Sequence, residues 1–300
     1  MAAQFIPATE DSSRLGNGND SESQFFRRVA AQGHYPKPDD NKQGIYVLTA
    51  GGKLRASNNE TARPKVVATL LRNALDKWAT LSTDERTGKG ESQPIRSGRS
   101  SYPKDGLVLR CNYRDLPRDS KHDLAEKWNE DFAWFTKDEA RQFLPANPVA
   151  GQTHNLPASL AQRFASCHLV DVVRGSTRLY KPNEVKKAQL SLRVTTIQRN
   201  VISLAISGET RTAAEGVWTV NGHGVKPTQQ KRGYEATLLG TATYDLNQQK
   251  FISFELLAVG HRWGGTEFNV RFDDLDRNPM GVLFTLAGRN PMEIMPPSLI

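Results

Sequence analysis

Cysteine is scarce in this chain: Cys111 and Cys167 are its only two, they stand far apart, and they form no C-x-x-C. That spacing excludes a thiolate zinc ribbon and a dithiol redox motif, and leaves one structural disulfide or two buried thiols as the open alternatives. Long apolar runs are missing as well. No stretch approaches the roughly 18 apolar residues of a membrane-spanning helix. Met1 to Ser23 has neither the basic start nor the apolar middle of a signal peptide. The location expected from this is cytoplasmic by default, or extracytoplasmic if a leader has been removed.

The motifs of common chemistries are absent too. The six histidines, His34, His122, His154, His168, His223 and His261, form no H-x-x-x-H, H-E-x-x-H or two-His-one-carboxylate spacing. The segment TAGGKLRA lacks the G-x-x-x-x-G-K-[ST] of a phosphate cradle, and no G-x-S-x-G elbow presents a nucleophilic serine. Nothing repeats at a period of 20 to 50 residues, which excludes solenoids and propellers. The expectation is a protein without a cofactor or metal.

What is present is a polar chain with a basic balance. Hydrophobic residues make up 37% and charged residues 24%, and 40 Lys and Arg against 32 Asp and Glu leave a formal charge of +8. Such a balance favours anionic partners. The basic residues around Arg96, Arg99, Lys104, Arg110, Arg114 and Arg118 are scattered singly rather than gathered in a run. Nucleic acid is therefore disfavoured, and an anionic small molecule or a protein partner is the expected kind of ligand.

The fold class read from periodicity is α+β. Residues 1–22 include TEDSSRLGNGNDSE, a polar entry with nothing to bury. Residues 23–81 read as a small α/β segment: a helix capped by Ser23, a hairpin over Gly44 to Ser57 turning at Gly51 and Gly52, and a helix from Thr61 to Leu81. The last of these is capped by Asn58 or Asn59, has Pro64 in its first turn, and carries Val67, Leu70, Leu71, Ala74, Leu75 and Trp78 on one face. Residues 82–106 read as a linker.

Residues 107–300 read as a second α+β domain with an antiparallel core over 188–288. It opens with a strand from Leu107 to Tyr113, then a helical region carrying Leu124, Trp128, Phe132 and Trp134. Thr136 to Glu139 forms a capping box that opens a helix to Leu144. A helix follows Leu156 and Pro157, and Leu169 to Val173 reads as a strand. From Ala188 onward apolar residues alternate: Leu190, Leu192, Val194; Ile202, Leu204, Ile206; and Tyr234, Ala236, Leu238, Ala242, Tyr244. Strands at Phe251 to Gly260 and Gly281 to Ala287 complete a meander expected to close as a barrel or a curved sandwich.

Two resemblances accompany this reading. Gly44 to Leu81, hairpin then amphipathic helix, resembles the closing β-β-α half of a thioredoxin-like fold; no cysteine precedes it, so redox activity is not implied. Over most of Gln24 to Gly288, the segments FFRRVAAQGHYP, QGIYVLTAGGKLRAS, LVDVVRG, GYEATLLGTATYDLNQQKFISFELLAVGHRWGG and PMGVLFTLAG together resemble uncharacterised bacterial proteins. Those proteins couple a thioredoxin-like segment to a β-rich domain. The resemblance implies architecture and no catalytic residue.

The candidate ligand site is the set His261, Arg262 and Trp263 beside Gly264 and Gly265, with Tyr234, Tyr244 and Arg232 expected to line the same barrel mouth. Arginine offers a fork for carboxylate or phosphate, tryptophan a stacking face, and glycine close backbone approach. The function expected is non-enzymatic binding of an anionic small molecule or a protein partner there. The alternative is a small-substrate hydrolase or isomerase using His261, or the pair Asp273 and Asp274, as acid and base. Asp273, Asp274, Asp276 and Glu267 form an acidic cluster flanked by Arg271 and Arg277, which reads as a salt-bridged surface loop and lacks the glycine of a calcium loop.

Overall fold

The computed structural model describes residues 18–37, 42–59, 63–87, 105–117, 127–220 and 225–288, with short pieces at 4–6, 8, 15–16, 102–103, 293 and 297. Half of the polar entry, the centre of the linker, and His122, Leu124 and His223 lie outside the described residues. The chain divides into two compact units: residues 1–101 with 290–295, and 102–289 with 296–300. No helix among the described residues is long and apolar enough to cross a membrane.

In the first unit, helix α1 (Ser21–Ala30) is capped by Asp20 rather than Ser23. The Asp20 carboxylate accepts the Ser23 amide at 2.9 Å and also the Ser23 hydroxyl. Strands β1 (Ile45–Leu48) and β2 (Leu54–Asn58) form the expected hairpin, in which Gly52, at φ +82°, takes the left-handed backbone and Gly51 does not. Helix α2 (Pro64–Ala79) starts on its proline. Its N-cap is Arg63, without a side-chain cap bond, rather than either asparagine. Its apolar stripe is half-buried apart from Ala74, which is fully buried. A short helix α3 (Thr83–Thr87) occupies the start of the segment read as linker.

The second unit is built on one antiparallel sheet of eight strands: β3 (Leu107–Asp115), β4 (Trp128–Phe135), β5 (Thr153–Asn155), β6 (Val185–Gln198), β7 (Val201–Trp218), β8 (Thr228–Asp245), β9 (Lys250–Trp263) and β10 (Asn278–Leu286). Their order is β4-β3-β10-β9-β8-β7-β6-β5. Sequential strands β6 to β10 pair as the expected meander. The sheet does not close: β4 and β5 are its two edges, so the expected barrel is an open sheet. Closure is replaced by a plug. The inner face carries Leu190, Leu192, Ile206, Leu238, Leu256 and Val282, and it packs on helix α5 (Ala158–His168) through Leu160, Ala161 and Phe164.

Two further expectations are corrected. Trp128 to Phe135 is a strand, β4, paired with β3 from Arg114↔Trp128 to Leu107↔Phe135, not a helix. Trp128 and Phe132, four apart, fit a helix and a strand alike, whereas Phe132 and Trp134, two apart, share a face only at the strand period. Leu169 to Val173 forms no strand; it is an irregular segment leaving α5, and its apolar side chains are buried in the core. The capping box at Thr136 and Glu139 does form, and it opens helix α4 (Lys137–Arg141).

Both cysteines are free. Cys111 points inward from β3, and burial, reinforced by the nearby Asp131, pushes its thiol well above the usual range.

Candidate functional site: an outer groove backed by a buried ion network

Strand alternation divides the residues grouped from the sequence. In β9, Arg262 faces the core, and its neighbours His261 and Trp263 face outward. Tyr234 pairs in register with Arg262 and is likewise buried, its phenol oxygen lying 3.2 and 3.1 Å from the Ala258 and Met280 carbonyls. Burial raises its hydroxyl far above the ordinary phenol value. Tyr244 is also on the inner face but ten positions along β8, about 33 Å from Tyr234 at strand rise. There it packs on Phe251 at 5.1 Å. The five residues therefore occupy two faces and two ends of the sheet.

Arg232 does not line an opening either. Its guanidinium lies 4.3 Å from the Tyr180 ring centre and donates to Thr177 Oγ1 and to the carbonyls of Arg178 and Leu179, clipping that segment to the sheet. His261 stands exposed on the outer face, in register between Glu235 and Pro279. Asp273 is exposed and Asp274 buried, so the two do not face one reaction centre as an acid and base pair.

Asp274 belongs to a buried network of three arginines and three aspartates. Arg271 is central. Its Nε and Nη2 donate to Asp171 at 2.8 and 2.7 Å, its Nη2 and Nη1 to Asp115 at 2.8 and 2.9 Å, and its Nη1 to Asp274 at 3.0 Å. Arg174 reaches Asp115 and Asp274 at 2.9 Å each. Arg262 pairs with the Asp274 carboxylate and also donates to that residue's carbonyl. Arg262 and Arg271 are wholly inaccessible.

Burying one such charge alone is prohibitive, and here three positive charges balance three negative. Burial by itself draws the Arg271 value down, but the carboxylates of Asp171 and Asp115 outweigh it and hold the guanidinium above its usual value. Arg262 is pulled lower, by burial and by the neighbouring Arg271 charge, against Asp171 and Asp274. Arg174, Arg262 and Arg271 meet one Asp274 carboxylate oxygen and the Asn278 amide meets the other. Asp274 thus ties the loop into this network, and the cluster read as a surface loop is salt-bridged but partly interior.

On the opposite face of the same sheet end lies a groove of about 610 Å³. Its basic side chains are Lys186, Arg211, Lys231 and Arg277, against the acids Glu184 and Glu215, so the lining carries four positive and two negative charges, a net +2. Its floor exists because of a glycine. A Cβ on Gly233 would fall 2.1 Å from Trp263 Cζ2, so the indole of Trp263 lies directly against the bare backbone of β8. The Arg277 guanidinium sits 5.5 Å from the indole ring and pairs with Glu235. The stacking face expected of Trp263 is therefore occupied by Arg277 and turns into a support for a cation.

Among the described residues no group of three or more His, Cys, Asp or Glu side chains is disposed to hold a metal ion. Sequence reasoning missed Asp115, Asp171 and Arg174, and also the four cations of the groove. Asp171 carried a signal: a lone carboxylate inside the apolar run Leu169 to Val173 implies a buried cationic partner. The cations carried none, since only strand pairing assembles them. No family model, no curated protein and no solved structure matches this chain.

Proposed function

We propose that the sheet unit is a binding module that takes a small anion, a phosphate or carboxylate group, in the outer groove beside Trp263. The observation that carries this reading is the set Lys186, Arg211, Lys231 and Arg277 converging over a floor opened by Gly233. Three of these cations are paired with surface acids, Lys231 with Glu215 at 3.3 Å, Arg211 with Glu235 at 3.8 Å and Arg277 with Glu235, while Lys186 donates to the Asn183 carbonyl at 2.8 Å. Exposed pairs of this kind contribute only about 0–1 kcal/mol, so an incoming oxyanion displaces them cheaply. Arginine then offers the fork that matches carboxylate or phosphate, and Arg277 is already held in place by the indole.

Isothermal titration of the full chain with pyrophosphate and with citrate, at low and then raised salt, tests this. One site whose affinity falls as salt rises, and which weakens several-fold in Arg211→Ala and in Lys231→Ala, is the expected result. Absence of binding by both anions, or variants that bind as the parent does, would overturn the proposal.

A further inference from the structure

The loop between β9 and β10 has its polarity reversed. Four of its polar residues, Thr266, Asn269, Arg271 and Asp274, are buried, while Val270, Phe272 and Leu275 are 37%, 51% and 40% exposed, and Phe268 is exposed beside them. A loop shaped only by its own folding would do the opposite, because apolar area gains by leaving water and charge loses by it.

The loop is also built rigidly. Residues Arg271 to Asp274 form a tight turn closed by the Asp274 amide on the Arg271 carbonyl at 2.9 Å, with Phe272 and Asp273 at its tip. Both ends of that turn are anchored in the buried ion network, and Arg271 Nη1 bridges to Asp274 across it. Upstream, the Trp218 indole donates to the Gly265 carbonyl at 2.8 Å, and the Gly264 amide to the Leu275 carbonyl at 2.8 Å. Val270 holds a left-handed backbone at φ +51°, an outlier for a β-branched side chain; it persists because the anchors on either side over-determine it.

We infer that this loop is a preformed docking knob for a protein partner that offers an apolar pocket bordered by Lys or Arg. Aromatic and aliphatic side chains projecting from a rigid turn are what binding hot spots are made of, and fixing them in advance removes the ordering cost of association. Charge selects the partner. Next to Leu275 the described loop carries the exposed carboxylate of Asp276, and the cation that follows it in sequence, Arg277, is engaged by Glu235 and Trp263. An exposed carboxylate beside an apolar tip complements a basic border and opposes an anionic lipid surface.

Selection of a random-peptide display library against the full chain is the test, with Phe272→Ser, Leu275→Ser and Asp276→Lys as counter-screens. Both serine variants alter exposed positions, so their thermal midpoints should match the parent and separate loss of binding from loss of fold. The selected peptides are expected to carry an apolar residue next to Lys or Arg. They should lose about tenfold or more in affinity against Phe272→Ser, and weaken against Asp276→Lys. The inference is overturned if no peptide is selected or if the peptides bind Phe272→Ser as they bind the parent. It is equally overturned if Phe272 instead drives sedimentation with phosphatidylserine vesicles or self-association of the chain. Pyrophosphate and citrate binding should be unaffected by the two serine variants, which keeps the result separate from the groove.

Discussion

Arg271 grips Asp115 through both carboxylate oxygens, at 2.9 and 2.8 Å, across 156 positions of the chain. The same guanidinium takes Asp171 side-on and reaches Asp274, so its five N–H donors meet five acceptor contacts. One side chain thereby ties the end of β3, the segment after α5 and the β9–β10 loop to each other.

Arg271→Ala should therefore destabilise the chain by about 3–5 kcal/mol, because it strands carboxylates in the interior. Arg271→Lys keeps the charge and loses the planar fork, so it should recover only part of that loss. Urea denaturation midpoints at neutral pH measure both. A lysine variant as stable as the parent would show that charge alone, rather than the five-donor geometry, holds the network.

His168 supplies a pH dependence. Its ring is buried between Phe135 and Phe164, each 6.0 Å away, and burial, with Arg163 adding repulsion, lowers its value from 6.5 to about 3. The folded chain keeps this imidazole neutral, and the unfolded chain protonates it near 6.5. Stability from this group is thus complete above pH 6.5 and drains away as pH falls from there toward 3, at up to about 1.4 kcal/mol per pH unit. His168→Phe should lack that component. The difference between parent and variant midpoints, measured from pH 7 down to about 4, should grow as the solution becomes more acidic; a constant difference would contradict the assignment.

Gly233 is the groove's point of failure. In Gly233→Ala the added methyl meets Trp263 Cζ2 at 2.1 Å and the Thr212 carbonyl oxygen at 2.5 Å. The indole should be expelled, taking Arg277 with it. A red-shifted tryptophan emission, a loss of stability of about 1–3 kcal/mol and weaker pyrophosphate binding are expected together. Unchanged emission would mean that the indole does not rest on this backbone.

The meander was readable because alternation is a local property. Each of Leu190, Leu192 and Val194, and Ile202, Leu204 and Ile206, declares by its own spacing which face is wet. The same rule, applied strictly, separates Arg262 from His261 and Trp263. The expectation of one ligand set failed because it treated neighbours in sequence as neighbours in space. The β4 strand was hidden for a related reason: the spacing of four from Leu124 to Trp128 to Phe132 fits helix and strand alike, and the one discriminating step, two residues from Phe132 to Trp134, is too short a signal until pairing with β3 completes it.

Sequence alone determined the hairpin at Gly52, the proline-led helix α2, the capping box of α4 and the paired strands β6 to β10, because each depends on residues within a few positions of one another. Tertiary structure decided that the sheet stays open around α5, that Arg271 finds Asp115 and Asp171, and that Lys186, Arg211, Lys231 and Arg277 share a groove. Those outcomes depend on register and on the balance of buried charges from distant segments. Neither quantity exists until the strands have paired.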